Sequence, residues 1–251
     1  MMNKTKIAVI TPYFMEPIAM ISECHQSVIN QEVDAEVQHF LVADGHAIDQ
    51  IDSWNATHIK LPHANADNGN TPRGIGSIIA DNNNYDFITY LDADNWFHKD
   101  HLKSLLTIYH LNHSPIICSS RTFHSLKGEI LNFTEAAEDQ HKHIDTSCYF
   151  LHRSSFDLIY IWTQMPKILG PICDRIFFAA IKWKRYSIFF SNQRTVAFRS
   201  QYAFTYKNNK DLMPEKSKND DNLKASFDYL KNIKGVSECI KKMGFYPGSY
   251  F

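Results

Sequence analysis

A chain of 251 residues, 44% hydrophobic and 21% charged, is long enough to bury a sizeable core, and one α/β domain with an elaborated second half is preferred to two small domains. Its 26 basic and 27 acidic residues leave a formal charge of -1, which excludes a bulk electrostatic pull toward nucleic acid or anionic membrane. The cysteines Cys24, Cys118, Cys148, Cys173 and Cys239 are odd in number, scattered and without a Cys-X-X-Cys pair, which argues against a disulfide framework or zinc knuckle and predicts reduced thiols in a cytoplasmic protein.

In chain order, Lys6-Ile7-Ala8-Val9-Ile10 predicts a first strand buried on both faces and interrupted at Thr11-Pro12-Tyr13. Pro12 follows too closely for a signal-peptide core, so no secretion signal is read. Ile18, Ile21, Val28 and Ile29 recur at helical spacing and predict a helix over 18–31. Phe40-Leu41-Val42 predicts a second strand ending at Ala43-Asp44-Gly45, and His58 to Leu61 a third ending at Pro62. Residues 63–76 are rich in Asn, Gly and Pro and read as a loop. Within it Thr71 is read as an N-cap and Pro72 as the first helical residue, so a second helix runs from about Arg73 with Ile75, Ile78 and Ile79 inward.

Phe87-Ile88-Thr89-Tyr90-Leu91 is short, β-branched and aromatic, and predicts a buried strand whose tip carries Asp92-Ala93-Asp94-Asn95. In an extended chain the two acids point to one side, roughly 6.6 Å apart at a ~3.3 Å rise per residue. At an effective dielectric near 20 that separation gives a repulsion of about 2.5 kcal/mol, which a cation relieves. Oxygen-only ligands favour Mg²⁺, Mn²⁺ or Ca²⁺ over zinc, and Mg²⁺ commonly takes one or two carboxylates plus substrate phosphates. Taken alone, the pair reads more simply as a capping Asp beside a solvated one.

Strand-helix alternation is the signature of a doubly wound sheet, in which ligands bind beyond the carboxyl ends of the strands. Thr11 and Tyr13 follow the first strand, Asp44 the second, Arg73 opens a helix, and Asp92 and Asp94 follow the last strand. Each has a bland explanation as a turn residue or cap. Together they converge on one rim, where an aspartate accepts from a base or ribose, an arginine neutralises phosphate and a cation bridges a diphosphate.

At these positions the chain resembles the GT-A glycosyltransferases, most closely those of family 2. The resemblance rests on Ile7-Ala8-Val9-Ile10-Thr11-Pro12-Tyr13-Phe14, Val42-Ala43-Asp44-Gly45, Pro72-Arg73-Gly74-Ile75-Gly76 and Tyr90-Leu91-Asp92-Ala93-Asp94-Asn95. It implies the GT-A fold: a mainly parallel central sheet with flanking helices and a C-terminal acceptor-side elaboration. Residues 1–105 become the nucleotide-sugar half, 106–206 the acceptor and catalytic half of the same domain, and 207–251 a polar loop and helical tail. The donor implied is a nucleotide sugar, usually UDP-linked. Thr11, Pro12, Tyr13, Asp44 and Arg73 then surround the nucleoside, while Asp92 and Asp94 hold Mn²⁺ or Mg²⁺ against the diphosphate. One departure is Ala43-Asp44-Gly45-His46, where family members often show two acids and a Ser.

In the second half, Arg121 to Phe133 predicts a hairpin with Gly128 at its turn. Asp145 begins an apolar strand ending at Leu151, and either faces the cleft, as the resemblance suggests, or merely starts the strand. Phe156 to Trp162 is too short to span a bilayer, and peripheral membrane attachment stays open. Gly170-Pro171-Ile172-Cys173-Asp174-Arg175 precedes an apolar helix. Asp174 is either a carboxylate stabilised by the helix dipole or, as the resemblance implies, the general base that deprotonates the acceptor hydroxyl for an inverting attack. The helix N-terminus lowers its pKa unless burial raises it. Thr195 to Phe198 predicts a strand, after which Arg199 and Tyr202 are candidates to reach phosphate or acceptor. Residues 207–222 read as a loop or lid, and 223–243 as a helix or helix pair broken near Gly235 that packs on the domain. The thirteen histidines show no helical zinc pattern and are read as solvated.

Three functions compete. The first is an inverting, metal-dependent transferase moving a sugar to a hydroxyl of a glycan or lipid-linked acceptor, with cell-surface polysaccharide assembly implied by the resemblance. The second is an Asp-X-Asp phosphotransferase, disfavoured because the first strand ends without an acid. The third is a non-catalytic nucleotide-sugar-binding protein of the same fold.

Overall fold

The computed structural model describes residues 4–135, 143–218 and 221–251. Its first half alternates as β1 (Lys6–Tyr13), α1 (Ile18–Ile29), β2 (Glu36–Ala43), β3 (Thr57–Lys60), α2 (Asn70–Asn82) and β4 (Phe87–Tyr90), then β5 (Trp96–Phe97) and α3 (His101–Asn112). The second half contributes β6 (Ile116–His124), β7 (Tyr149–His152), α4 (Tyr160–Gln164), α5 (Cys173–Lys184), β8 (Ile188–Arg199), α6 (Asp221–Lys231) and α7 (Ile233–Met243). These strands form one sheet in the order β3-β2-β1-β4-β7-β6-β8-β5. β1 pairs parallel with β2 and β4, and β7 enters antiparallel between β4 and β6. The chain moves outward from β1 to β3 and returns to β4 on the other side of β1. The strand order therefore reverses between β1 and β4, whose carboxyl ends flank the crevice where such sheets take ligands.

β1 does not stop at Thr11, since its register with β2 runs through Pro12↔Val42 to Tyr13↔Ala43. Ile10 O accepts from Leu91 N on the β4 side. Pro12, two residues on, turns its missing N–H to that same side, beyond the last β4 pair at Tyr90, so no ladder bond is lost.

α2 begins at Asn70, behind Gly69 in the left-handed region (φ 78°), earlier than Thr71-Pro72 predicts. Asp67 Oδ2 serves the helix start, accepting from Thr71 N at 3.0 Å and Thr71 Oγ1 at 2.6 Å. The face packed inward is Gly74, Gly76, Ser77 and Ala80, while Ile75, Ile78 and Ile79 are only half-buried. A Cβ at Gly76 would lie 2.7 Å from Ile10 Cγ2, and one at Gly74 2.5 Å from Thr163 Cγ2. The small residues let α2 lie close on β1 and α4, which brings Arg73 to the tip of β4. Below that tip Trp162 stacks on Phe177 at 4.3 Å and donates from Nε1 to Tyr90 OH at 3.0 Å. Burying aromatics of this size supplies much of the hydrophobic driving force, and the indole N–H keeps a partner.

The expected hairpin forms only in part: Gly128 makes the turn with φ 89°, but the return arm reaches β6 through the single bridge His124↔Ile130. The tail packs on the domain, with Ser226 Oγ donating to Ile168 O at 2.6 Å. The expected break near Gly235 falls at Asn232, which caps α7 by accepting from Lys234 N at 2.8 Å. Residues 219 and 220 of the expected polar loop lie outside the described residues. No described helix is long and apolar enough to cross a membrane.

The histidines depart from expectation. His25, His39, His101 and His124 are buried, not solvated. His39 Nε2 lies 2.8 Å from Thr11 Oγ1 and its Nδ1 2.9 Å from His25 Nδ1, while His101 Nδ1 lies 2.7 Å from Thr195 Oγ1. A neutral imidazole with a hydrogen-bond partner fits a core that would reject the charged ring.

Candidate active site

Asp92 to Asn95 form a turn rather than an extended tip, closed by Asn95 N donating to Asp92 O at 2.9 Å. Both acids line a cavity of about 400 Å³ at the carboxyl end of β1, together with Pro12, Tyr13, Asp44 and Arg73. Arg73 Nη2 donates to Asp92 Oδ1 at 2.8 Å, and its guanidinium lies 4.9 Å over the Trp162 ring. Burial raises the Asp92 pKa and Arg73 opposes that shift. Asp94 has no ion-pair partner among the described residues. Burial first, then Asp92 and Glu16, push its carboxyl up to about 7.

Tyr13 is held at its far end, with its hydroxyl 2.6 Å from His58 Nε2 and accepting from Ile48 N at 3.1 Å. His58 Nδ1 in turn lies 2.7 Å from Asp52 Oδ1. Asp44 folds the following loop onto itself. Its Oδ1 accepts from Asn65 N and Nδ2, each at 2.8 Å, and its Oδ2 from Ala66 N at 2.8 Å. Ala66, Asn68 and Gly69 thereby become cavity wall. Thr11 is not brought to the cavity. It shares a face of β1 with Tyr13 but lies two residues deeper, fully buried against His39 and Cys24.

A second cavity of about 450 Å³ meets the first at Asn68, Arg73 and Asp92. It carries Asp174, in the first turn of α5, whose Oδ1 accepts from Arg175 N at 2.8 Å. Burial raises the Asp174 pKa, and His143 only partly opposes it. Desolvation thus outweighs His143 and the Arg175 N–H, and an acid whose pKa is raised in this way keeps basicity. Asp145 also lines this cavity, but it pairs with Arg121 and accepts from Ser147 N at 3.0 Å, which ties it to the turn before β7. Arg199 reaches neither cavity and lies buried behind the Asp92–Asn95 turn, while Tyr202 lines the second cavity.

Sequence reasoning passed over three parts of this site. Glu16 lines the first cavity and accepts from Phe14 N at 2.7 Å; an acid so soon after a strand tip was a usable signal. Asn68 and Gly69 come from the loop that Asp44 shapes. Beside the expected Tyr202, the second cavity has an aromatic wall of Phe133, Phe198 and Phe204, drawn from segments far apart in sequence.

Among the described residues no group of three or more His, Cys, Asp or Glu could hold a metal ion by itself. The residues present nevertheless fit a hard cation that also takes oxygens from a ligand. Asp94 offers an uncompensated carboxylate, and Asp92 has one oxygen not engaged by Arg73.

The sequence matches no protein-family model and no curated protein. The fold is similar to the crystal structure of S. aureus TarS 1-349, with a TM-score of 0.57 and 17% identity over 78% of this chain and 60% of that one. It is likewise similar to TarS 1-349 in complex with UDP (TM-score 0.57, 16% identity, 78% and 60% covered) and with UDP-GlcNAc (0.56, 14%, 78% and 59%). The chain thus spans about 60% of the TarS fragment that it matches. This likeness shows the fold: α/β, of the GT-A type, with a mixed, mostly parallel sheet and flanking helices.

Proposed function

We propose that the protein is a metal-dependent, inverting glycosyltransferase that moves a sugar from a UDP-linked donor to a hydroxyl on a glycan. The observation that carries this reading is the meeting of two cavities at Asp92 and Arg73, one with Asp94 and Tyr13 and the other with Asp174. The UDP and UDP-GlcNAc complexes of TarS support the choice of donor.

In this reading Tyr13 and the loop shaped by Asp44 hold the nucleoside, and Asp92 and Asp94 hold Mn²⁺ or Mg²⁺. The cation supplies positive charge against the departing diphosphate. Asp174 accepts the proton of the acceptor hydroxyl as its oxygen bonds to the anomeric carbon. The bond from that carbon to the diphosphate breaks, and UDP leaves on the opposite face. A raised carboxyl pKa suits this role, because a base is stronger when burial opposes its charged form.

The acceptor cavity favours a sugar ring over an acyl chain at the reacting end. Aromatic side chains line it together with Asp174 and Arg175, which can pair with hydroxyls. An acyl chain would desolvate those groups with no compensating hydrogen bond.

The test is incubation with UDP-, GDP- and dTDP-sugars, Mn²⁺ and a glycan panel, read by mass spectrometry and by NMR of the new anomeric centre. Transfer with inverted configuration that stops with EDTA is expected. Tight UDP-sugar binding without transfer or hydrolysis would leave a nucleotide-sugar-binding protein instead.

A further inference from the structure

The turn bearing Asp92 and Asp94 is held from behind by the end of β8. Arg199 N donates to Asn95 Oδ1 at 2.9 Å, and Arg199 Nη1 donates to Asp94 O at 2.5 Å. The guanidinium also pairs with Glu23 on α1 and lies 4.5 Å over the Trp96 ring. Trp96 pairs with Ala197, so the residues flanking the turn are stitched to the same strand. Arg199 is 6% exposed and Asn95 0%, which denies water to the groups they satisfy. That guanidinium bonds the backbone oxygen of Asp94 and not its carboxylate. Its ion-pair partner is Glu23, and the Asp94 side chain is left without an ion pair among the described residues.

We propose that Arg199, Asn95 and Glu23 form a positioning clamp. Arg199 and Asn95 fix the Asp94 backbone so that its carboxylate faces the donor cavity, and Glu23 neutralises Arg199 so that it does not occupy that carboxylate. The second half of this role rests on the reading of the cavity as a cation and diphosphate site; the first half does not.

The test uses the full chain and the variants Arg199→Ala, Arg199→Lys and Glu23→Gln. Amide hydrogen exchange without ligand should be about tenfold faster at Asp94 to Trp96 in Arg199→Ala, with residues 7 to 10 unchanged and Arg199→Lys partly restored. Unchanged exchange at Asp94 to Trp96 overturns the clamp. Should Arg199→Ala fail to fold, Arg199→Lys carries the same comparison. Mn²⁺ binding followed by electron paramagnetic resonance should weaken about tenfold in Glu23→Gln, whose altered residue is half exposed, with its melting temperature kept. Wild-type affinity in that variant overturns the neutralising role. Failure of the wild type to bind Mn²⁺ in the presence of UDP counts against the proposed function, while the exchange result still decides the clamp.

Discussion

Arg73 Nη2 sits 2.8 Å from Asp92 Oδ1, and this pair makes the two acids of Asp92-Ala93-Asp94 unequal. Asp92 receives a positive charge from the chain itself. Asp94 is left to find one elsewhere.

Arg73→Ala should cost about 2 kcal/mol of stability. Removing one partner of a buried pair costs roughly 3 to 5 kcal/mol, and the part-exposure of Asp92 discounts that figure. Arg73→Lys should recover only part of the loss, because it keeps charge but not the planar contact with Trp162. Urea denaturation of both variants checks the ranking.

Asp94→Asn should lower Mn²⁺ affinity by at least about tenfold yet raise the stability of the metal-free protein at neutral pH, by on the order of 1 kcal/mol after allowance for solvent screening. Burial raises the folded-state pKa of Asp94 to about 7, so the unfolded chain loses its proton first. The stability contribution is therefore full below the unfolded carboxyl value and lost as pH rises through about 7. Calorimetric melts with and without Mn²⁺ separate the two effects.

Asp174→Asn should reduce kcat by about 10² or more while UDP affinity stays within about twofold. The pH profile follows from the sign of its shift. With the pKa above the ordinary carboxylate value, the rate should climb with pH through that raised value, and this limb should vanish in Asp174→Asn. Steady-state kinetics across pH gives both readings.

Phe204→Ala should raise KM for a glycan acceptor by about fivefold, leaving donor KM unchanged. Phe204 is 46% exposed, so the variant should fold as the wild type does. Measuring KM for both substrates in one variant decides whether the aromatic wall serves the acceptor.

The buried histidines should make the fold acid-sensitive. Burial lowers the pKa of His25 and His39, and brings that of His101 down to about 3. Below about pH 6.5 the unfolded chain takes up protons that these rings refuse, so stability falls with pH by up to about 1.4 kcal/mol per unit for each ring. Urea midpoints between pH 5 and 8 should show the slope, and His101→Gln should reduce it.

The sequence by itself determined the order of the first four strands and the two helices between them, although β1 runs on through Pro12 to Tyr13. Those follow from short apolar runs and their breakers, which act over a few residues. It also located Tyr13, Asp44, Arg73, Asp92 and Asp94 at one rim, because a doubly wound sheet collects the strand tips that it alternates. The tertiary structure decided what each tip residue touches. Thr11 and Tyr13 share a face, yet only Tyr13 reaches the cavity, since Thr11 is closed in by His39 of β2 and Cys24 of α1. Arg73 takes Asp92 because glycines in α2 let that helix close on β1, and Arg199 turns to Glu23 and the back of the acidic turn because β8 pairs with β5. Such partners lie far apart in the chain, and nothing in local periodicity specifies them. Long-range packing selects them by excluding water from every alternative.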